Sequence, residues 1–223
     1  MKKNLDTKDH LDTKDHEEKR SEKIPAPSRW PYATPGIPDE LFARGNVPMT
    51  KGEVRSLTLS RLRLKTDHRV VDVGAGTGSI SIECALMLKR GCVFAVEKDE
   101  KAIEIIRENT RLFGVRNVEI IHDFAPEALE KINPVDRIVV GGTGGKMKEI
   151  FQTCRDLLLP GGIMVLNCIL LESMAGCLHL LGDTGFTSPE ILSLQIARGE
   201  SLGNGTVLRP LNPVFIVTTK KRG

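Results

Sequence analysis

A buried strand that runs directly into a glycine-rich turn is the feature of this chain that most limits its fold. The strand, residues 70–73, is continuously apolar apart from Asp72, which is typical of a parallel strand covered by helices on both faces. Glycines follow at positions 74, 76 and 78, and a helical pattern begins at Ser79. Glycine permits a sharp turn and a close approach of the backbone to a ligand. The sequence therefore predicts an α/β fold with a ligand site at this turn.

The spacing of these glycines distinguishes two kinds of nucleotide cofactor. Dinucleotide enzymes use G-x-G-x-x-G to bind a pyrophosphate, whereas this turn reads G-x-G-x-G. A second apolar run, residues 92–96, ends at Glu97, whose carboxylate can accept hydrogen bonds from both hydroxyls of a ribose. A glycine turn followed by such an acid is the pattern of S-adenosylmethionine binding. The turn taken alone is a weak signal, because glycine turns also occur in ordinary connections between a strand and a helix.

Strands and helices alternate along most of the chain. Apolar runs at 69–73, 92–96, 118–121, 136–140 and 162–169 alternate with helical periodicity at 79–90, 99–113, 146–158 and 171–181, and a further helix is predicted over 51–64. This alternation predicts right-handed crossovers and a doubly wound, mainly parallel sheet. Two later apolar runs, near 188–197 and 214–219, have only a glycine-rich loop between them and should form an antiparallel pair at one edge.

Three parts of different composition divide the chain. Residues 1–28 contain a direct repeat of Leu-Asp-Thr-Lys-Asp-His and few apolar groups, which predicts a disordered charged tail. Proline is concentrated around residues 29–38 and favours an extended connector, which Trp30 and Tyr32 should attach to the domain surface. Residues 39–223 are then expected to form one catalytic domain, with enough residues for one core.

Charge and cysteine usage argue against several classes of function. The formal net charge is only +3, with no basic run except residues 220–222, which gives little support for a nucleic-acid partner. The N-terminus is charged, and no apolar stretch is long enough to cross a bilayer, so a membrane partner is not expected. Five cysteines form no C-x-x-C pair and the histidines are scattered. We therefore expect no metal site and a reducing, cytoplasmic location.

Other candidate residues follow strands on the same edge of the predicted sheet, where ligands bind in such folds. They include the segment 122–125 and the Gly-Gly-Thr-Gly-Gly loop at 141–145, which is either a wide floor under a large substrate or a flexible connection. Lys51 and Arg55 lie one helical turn apart, and Arg44 precedes them. These cations either bind a polyanionic substrate or are solvated surface charges. Methyl transfer from a sulfonium mainly requires alignment of the reactants, so the lack of an evident nucleophile-base pair does not argue against an enzyme.

Several longer segments resemble the decarboxylating precorrin methyltransferases of cobalamin (vitamin B12) biosynthesis, which methylate carbon 15 of a corrin precursor. The matching segments are residues 36–42, 47–55, 72–78, 125–129, 139–145 and 196–199. The most specific are Pro-Met-Thr-Lys at 48–51, Ala-Pro-Glu-Ala-Leu at 125–129 and the loop at 141–145. The resemblance covers residues 36–219 and is to the stand-alone form of the enzyme.

The resemblance implies a Rossmann-like class I methyltransferase fold, S-adenosylmethionine as cofactor and a homo-oligomer, specifically a homotetramer. It also implies the step from precorrin-6B to precorrin-7, with loss of carbon dioxide from an acetate side chain and cobalt-precorrin-6B as the substrate. Carried over to this sequence, the cofactor contacts are Thr50, Gly74, Ala75, Gly76, Thr77, Gly78, Glu97, Asp123 and Ala125. Asp123 and Phe124 stand where relatives often have Gly-Asp, so the adenine contact falls to backbone groups or to Asp123.

A corrin precursor carries many carboxylates, which cations can bind through charge-assisted hydrogen bonds. The expected substrate contacts are Arg44, Lys51, Arg55, Gly142, Thr143, Gly144 and Arg198. No catalytic residue for the decarboxylation is identified, although Asn167 and Glu172 lie near the expected cleft. Two alternatives remain open at this point: an RNA or protein methyltransferase on the same fold, and a non-catalytic cofactor-binding scaffold.

Overall fold

The computed structural model describes residues 30–182 and 185–223, which form nine strands and five α-helices. The strands are β1 (Arg69–Val73), β2 (Cys92–Glu97), β3 (Val118–His122), β4 (Val135–Val140), β5 (Leu158–Cys168), β6 (Glu190–Leu194), β7 (Ala197–Leu202), β8 (Gly205–Pro210) and β9 (Val214–Lys220). The helices are α1 (Gly52–Leu62), α2 (Ser79–Met87), α3 (Glu100–Leu112), α4 (Met147–Leu157) and α5 (Leu171–Gly182), with 3-10 turns at Asp39–Leu41 and Leu129–Lys131. The tail predicted over residues 1–28 lies outside the described residues.

Seven strands form the central sheet in the order β3-β2-β1-β4-β5-β9-β6. The first five strands are parallel, and β9 is antiparallel to both β5 and β6. The predicted doubly wound sheet with an antiparallel pair at one edge is therefore confirmed. Between β1 and β4 the strand order changes direction, and this switch point is where ligands bind in such folds.

The segment between β6 and β9 differs from the prediction. In place of a simple loop, it contains a two-stranded antiparallel sheet of β7 and β8, which pair from Ala197 with Pro210 to Leu202 with Gly205. The two strands are joined by Gly203 and Asn204, and Gly203 has a φ of +58°. A two-residue Gly-Asn connection between short strands is a hairpin signal, because glycine adopts the positive φ that the tight turn requires.

Alternate residues of β1 show how the helices cover the sheet. Val71 and Val73 pack into a core cluster with Phe151 of α4, whereas Val70 packs into a cluster with Leu59 of α1. Successive side chains of a strand point to opposite faces, so each face of β1 is buried under its own layer of helices. The following residue on the Val70 face is Asp72, and this acid is consequently buried at the end of the strand.

Residues 30–38, within the segment predicted as a connector, contain no helix or strand. Trp30 packs against a cluster that includes the fully buried Ile37 and Phe42. Tyr32 is 64% exposed, and its ring meets the Trp30 ring edge to face with the centroids 4.8 Å apart. The connector is therefore attached to the domain through Trp30, and Tyr32 covers that ring from outside.

Candidate active site

The glycine turn after β1 has the backbone that its sequence requires. Gly74, Gly76 and Gly78 have φ values of +71°, +56° and +73°, in the left-handed region that favours glycine. The turn is fixed to the neighbouring strand, because the backbone N–H groups of Gly74 and Ala75 both donate to the carbonyl of Val96. Helix α2 begins directly after Gly78. The turn therefore brings bare backbone and a helix N-terminus to the switch point of the sheet.

Glu97 connects the ends of β1 and β2. One carboxylate oxygen, Oε2, accepts a hydrogen bond from the Gly76 N–H at 2.9 Å. The other, Oε1, accepts from the N–H groups of Lys98 at 2.9 Å and Asp99 at 3.1 Å. The side chain thus stabilises the glycine turn and presents a carboxylate at the cavity described below.

Asp72 is a buried acid beneath the glycine turn. Its side chain is 2% exposed, and the hydroxyl of Ser81 donates a 2.6 Å hydrogen bond to its Oδ2. Burial raises the pKa of the Asp72 carboxyl to about 6, and the nearby charge of Glu97 raises the pKa further, against the lowering effect of the Ser81 bond. The buried Oγ1 of Thr77 has no hydrogen-bond partner among the described residues.

A second glycine loop, residues 141–145, packs directly against the first. A Cβ atom on Gly74 would lie 3.0 Å from the backbone nitrogen of Gly142, and one on Gly141 would lie 3.1 Å from the Gly74 carbonyl oxygen. These distances are shorter than most Cβ contacts in proteins, so glycine at both positions lets the two loops meet backbone to backbone without a shift of either loop. A Cβ on Gly142 would have nothing within 4 Å, which leaves open space above this part of the loop.

One cavity of about 1050 Å³ lies over the carboxyl ends of the parallel strands. Its lining contains most of the predicted site residues: Arg44, Thr50, Lys51, Gly74, Ala75, Gly76, Thr77, Glu97, Asp123, Ala125, Gly142, Thr143 and Gly144. Asn167, at the end of β5, also lines the cavity, whereas the exposed Glu172 does not. Gly78 does not line it either, because the position of its Cβ faces the side chain of Ile106 at 3.1 Å.

The prediction that Arg55 binds the substrate is wrong. Its side chain is 0% exposed, and its guanidinium donates to Glu83, Asp39 and the carbonyls of Thr50 and Ile37. Arg55 lies on the buried face of α1, so its charge is neutralised inside the protein. Glu83 is buried as well, and its carboxylate also accepts hydrogen bonds from the backbone of Gly36 and Ile37.

Arg198 is also used within the chain instead of at the cavity. It lies in β7, and its guanidinium donates to both carboxylate oxygens of Glu53 at 3.0 and 2.7 Å. Asp39 lies 3.6 Å away from the same group. The paired Arg198 lowers the pKa of Glu53. Since Arg198 is not among the residues that line the cavity, its expected role as a substrate contact is corrected to that of an ion pair between the hairpin and α1.

Charged residues are spread along the rim of the cavity. Lys51 Nζ lies 3.7 Å from Asp39, and Lys146 is paired with Glu127 at 2.9 Å. Asp123 is paired with Lys131, and this bond lowers the pKa of the Asp123 carboxyl. Arg44, in contrast, is exposed at the cavity. The rim therefore carries both signs of charge, with basic side chains from the segment that precedes α1.

Asn109 is a functional candidate that the sequence analysis missed. It lies on the buried face of α3 with Ile106 and is 0% exposed. Its Oδ1 accepts from the Ala43 N–H at 2.9 Å, and its Nδ2 donates to the carbonyls of Ala43 and Thr77 at 2.8 Å each. The sequence carries a signal that could have identified Asn109. It is a polar residue three positions after Ile106, on a helix face that is otherwise apolar.

Comparison with known proteins assigns the family. A family model described as the precorrin methyltransferase domain matches residues 40–221. The chain belongs to the precorrin methyltransferase family. A relative in Pyrobaculum aerophilum, named a probable cobalt-precorrin-6B C(15)-methyltransferase (decarboxylating), is 47% identical over 192 residues, which are 85% of this chain and 97% of that protein.

Two solved structures of precorrin enzymes share the fold. The precorrin-6y C5,15-methyltransferase of Geobacter metallireducens superposes with a TM-score of 0.80 at 35% identity, covering 85% of this chain and 98% of that one. The precorrin 8w decarboxylase of Methanobacterium thermoautotrophicum gives a TM-score of 0.78 at 38% identity, with 82% and 98% covered. The fold is therefore the Rossmann-like fold of class I methyltransferases, and the family resemblance found in the sequence is confirmed.

Residues 30–182 and 185–223 lack two further kinds of feature. No helix there is long and apolar enough to cross a membrane. The same residues contain no cluster of three or more His, Cys, Asp or Glu side chains placed to hold a metal ion.

Proposed function

We propose that this protein methylates carbon 15 of cobalt-precorrin-6B and removes carbon dioxide from an acetate side chain of that macrocycle. The names of its relatives support this reaction. The observation that carries the proposal is that a single cavity of about 1050 Å³ is lined by both glycine loops and by Glu97. Pockets for drug-sized ligands commonly measure about 300–1,000 Å³, so this volume suits a cofactor together with a large acceptor.

The residues around the first glycine turn fit S-adenosylmethionine. Gly74 and Gly76 offer backbone without a side chain, and the Thr77 hydroxyl, which has no partner among the described residues, is available for a hydrogen bond. In this proposal Glu97 accepts hydrogen bonds from the ribose hydroxyls while it holds the Gly76 N–H. Thr50, Ala75, Asp123 and Ala125 complete the contacts, and Gly78 shapes the turn from behind. The bound cofactor supplies a methyl group on a sulfonium.

The macrocycle occupies the other half of the cavity in this proposal. Arg44 and Lys51 bind peripheral carboxylates, and Gly142, Thr143 and Gly144 leave space for a flat face. Asn167 adds an amide beside this space. The main contribution of these residues to methyl transfer is to hold the acceptor carbon in line with the methyl group, since proximity and orientation can lower a barrier by up to roughly 7–11 kcal/mol.

The hairpin of β7 and β8 supports a homo-oligomer, for which we propose the tetramer implied by the family resemblance. Every residue of β7 is exposed, and Leu202 and Leu208 are 64% and 68% exposed. A two-stranded hairpin without a partner surface is only marginally stable in water. The pairing register places Leu202 and Leu208 on opposite faces of the hairpin, so neighbouring copies on both faces would bury these leucines.

The five cysteines are unpaired, which supports the reducing cytoplasm as the place of action. The modest charge supports a function without a nucleic-acid or membrane partner.

Mass spectrometry tests the reaction directly. The protein is incubated with S-adenosylmethionine and a precorrin-6B preparation, with and without cobalt in the ring. We expect a product that has gained one methyl group and lost carbon dioxide, formed faster from the cobalt-containing substrate. If neither macrocycle changes although the protein binds the cofactor, the proposed substrate is wrong.

A further inference from the structure

A short segment between the first 3-10 turn and α1, residues 43–51, lies across the glycine turn, and we call it the strap. Eight of its residues, 44–51, line the cavity. The carbonyl oxygen of Pro48 lies 3.1 Å from the position that a Cβ of Gly76 would occupy. The strap and the glycine turn are therefore in direct backbone contact, and the geometry of one limits the geometry of the other.

The N-terminal end of the strap is held by Asn109. This side chain is fully buried, and its amide makes both possible backbone hydrogen bonds with Ala43. The same Nδ2 also donates to the carbonyl of Thr77 in the glycine turn. One amide thus connects helix α3, the strap and the glycine turn. A buried amide with all of these partners fixes their relative positions, because each broken bond would leave a buried polar group unsatisfied.

The C-terminal end of the strap is held by Arg55. Its guanidinium donates to the Thr50 carbonyl, and its remaining donors reach Glu83, Asp39 and the Ile37 carbonyl. The planar guanidinium directs several donors in fixed directions, which lysine cannot reproduce. Thr50, the last strap residue but one, is therefore oriented from inside the protein.

We infer that Asn109 and Arg55 are positioning residues that hold the strap over the cofactor turn and thereby set the affinity for S-adenosylmethionine. Neither residue lines the cavity, so both act through the backbone of the strap and, for Asn109, of Thr77. The inference rests on the cofactor site described under the proposed function. Under this inference the strap is part of the cofactor site. Attachment of the strap also explains why the buried face of α3 carries the polar residue Asn109.

The chain offers a matched control for Asn109. Asn117 also makes three hydrogen bonds to backbone, because its Nδ2 donates to the carbonyls of Ala85, Leu88 and Gly91. None of these three residues lines the cavity. Asn109→Ala and Asn117→Ala therefore remove the same number of backbone hydrogen bonds, one set at the strap and the other away from it.

Cofactor affinity is measured by calorimetry with S-adenosylmethionine and with its demethylated product, well below the melting temperature of each variant. We expect Asn109→Ala to weaken binding at least tenfold and Asn117→Ala to change it less than twofold, although both lower the melting temperature. A folded Asn109→Ala variant that binds within twofold of the wild type overturns the inference. A wild-type protein that binds neither ligand overturns the proposed cofactor and the inference with it.

Arg55 is tested with Arg55→Lys, which keeps the charge but loses the fork of donors. Arg61→Lys in the same helix is its control, because Arg61 pairs with Glu190 at the surface. We expect Arg55→Lys to bind the cofactor more weakly than the wild type and Arg61→Lys to bind it as tightly as the wild type. Equal cofactor affinity of the two variants contradicts the role of Arg55.

Hydrogen exchange of the wild type does not depend on the folding of any variant. We expect the amides of the strap to exchange more slowly when the demethylated product is bound, whereas those of residues 86–91 stay unchanged. Strap amides whose exchange rates do not respond to bound ligand overturn the inference.

Discussion

The carbonyl oxygen of Pro48 lies 3.1 Å from the point where a Cβ of Gly76 would stand. Gly76 also has a φ of +56°, which a residue with a side chain rarely adopts. The same residue donates its N–H to Glu97. A single glycine is therefore constrained by the strap above it, by its own backbone and by the acid at the end of β2.

Gly76→Ala should weaken cofactor binding at least tenfold. The added methyl group displaces either the strap or the turn, and the left-handed conformation costs about 1–2 kcal/mol more for alanine. Calorimetric titration with S-adenosylmethionine measures the effect. Gly182→Ala is the control, because Gly182 lies in a helix with open space around its Cβ position. Unchanged affinity in Gly76→Ala contradicts the constraint described here.

The strands of the parallel sheet were predictable because their sequence signal is local. The apolar run that predicts β2 is continuous and that of β1 is interrupted only by Asp72, as burial of both faces favours, and Glu97 ends β2 at the carboxyl edge of the parallel sheet. The glycines of the first turn were predicted to permit close approach, and their positive φ values agree with that. The hairpin was missed because the Gly203-Asn204 turn was interpreted as part of a loop.

The network around Arg55 was not predictable from the sequence. Its partners Asp39 and Glu83 are 16 and 28 residues away, and nothing in the spacing of Lys51 and Arg55 distinguishes a surface cation from a buried one. Burial of an arginine depends on whether tertiary packing brings acids and carbonyls to it. The role of Asn109 depends in the same way on Ala43, 66 residues earlier in the chain.

Substitutions of Gly142 test whether the second glycine loop lies directly under a large bound substrate. Its φ is not left-handed and its Cβ position is open, so alanine and valine should both be compatible with the fold. We expect Gly142→Ala to raise the KM for the macrocycle severalfold and Gly142→Val to raise it at least tenfold, with cofactor affinity unchanged in both. Steady-state kinetics with the macrocycle varied gives the answer. If the KM does not depend on the size of the side chain at position 142, the loop is only a connection between β4 and α4.

Arg44 and Lys51 should contribute to binding of the anionic macrocycle but not of the cofactor. Arg44→Gln and Lys51→Gln each remove one positive charge from the cavity. We expect each to raise the KM for the macrocycle about fivefold to tenfold, with a smaller difference at high salt because screening weakens such contacts. Arg61→Gln, at the surface of α1, is the control. If the variants lose affinity for the cofactor and the KM for the macrocycle does not rise, Arg44 and Lys51 act by keeping the strap in position and not by binding the macrocycle.

Asp72 should make the stability of the protein depend on pH. Its pKa is raised to about 6 in the folded protein, from an ordinary value near 4, so the folded state binds a proton more tightly than the unfolded state. By linkage, this carboxyl contributes stability below about pH 4 that is lost as the pH rises through 6. Asp72→Asn removes this dependence and keeps an acceptor for Ser81.

At pH 7.5 we therefore expect Asp72→Asn to be more stable than the wild type by roughly 2–3 kcal/mol, since one pKa unit is about 1.4 kcal/mol. The difference should decrease towards zero near pH 4. Urea unfolding of both proteins at several pH values measures it, and the comparison cancels the contributions of the other carboxyls. A difference that is the same at pH 4 and pH 7.5 would mean that Asp72 does not titrate as described.

The hairpin should hold the oligomer together through Leu202 and Leu208, which are among the most exposed large apolar residues of the described chain. Exposed apolar groups of this size on an otherwise unsupported hairpin indicate a contact surface. We expect the double variant Leu202→Glu/Leu208→Glu to sediment as a monomer or dimer where the wild type sediments as a tetramer. Charges in a buried interface repel and lose their hydration, and therefore dissociate the copies. Leu159→Glu, at an exposed leucine outside the hairpin, should leave the sedimentation coefficient unchanged, and a wild-type protein that is already monomeric contradicts the proposed assembly.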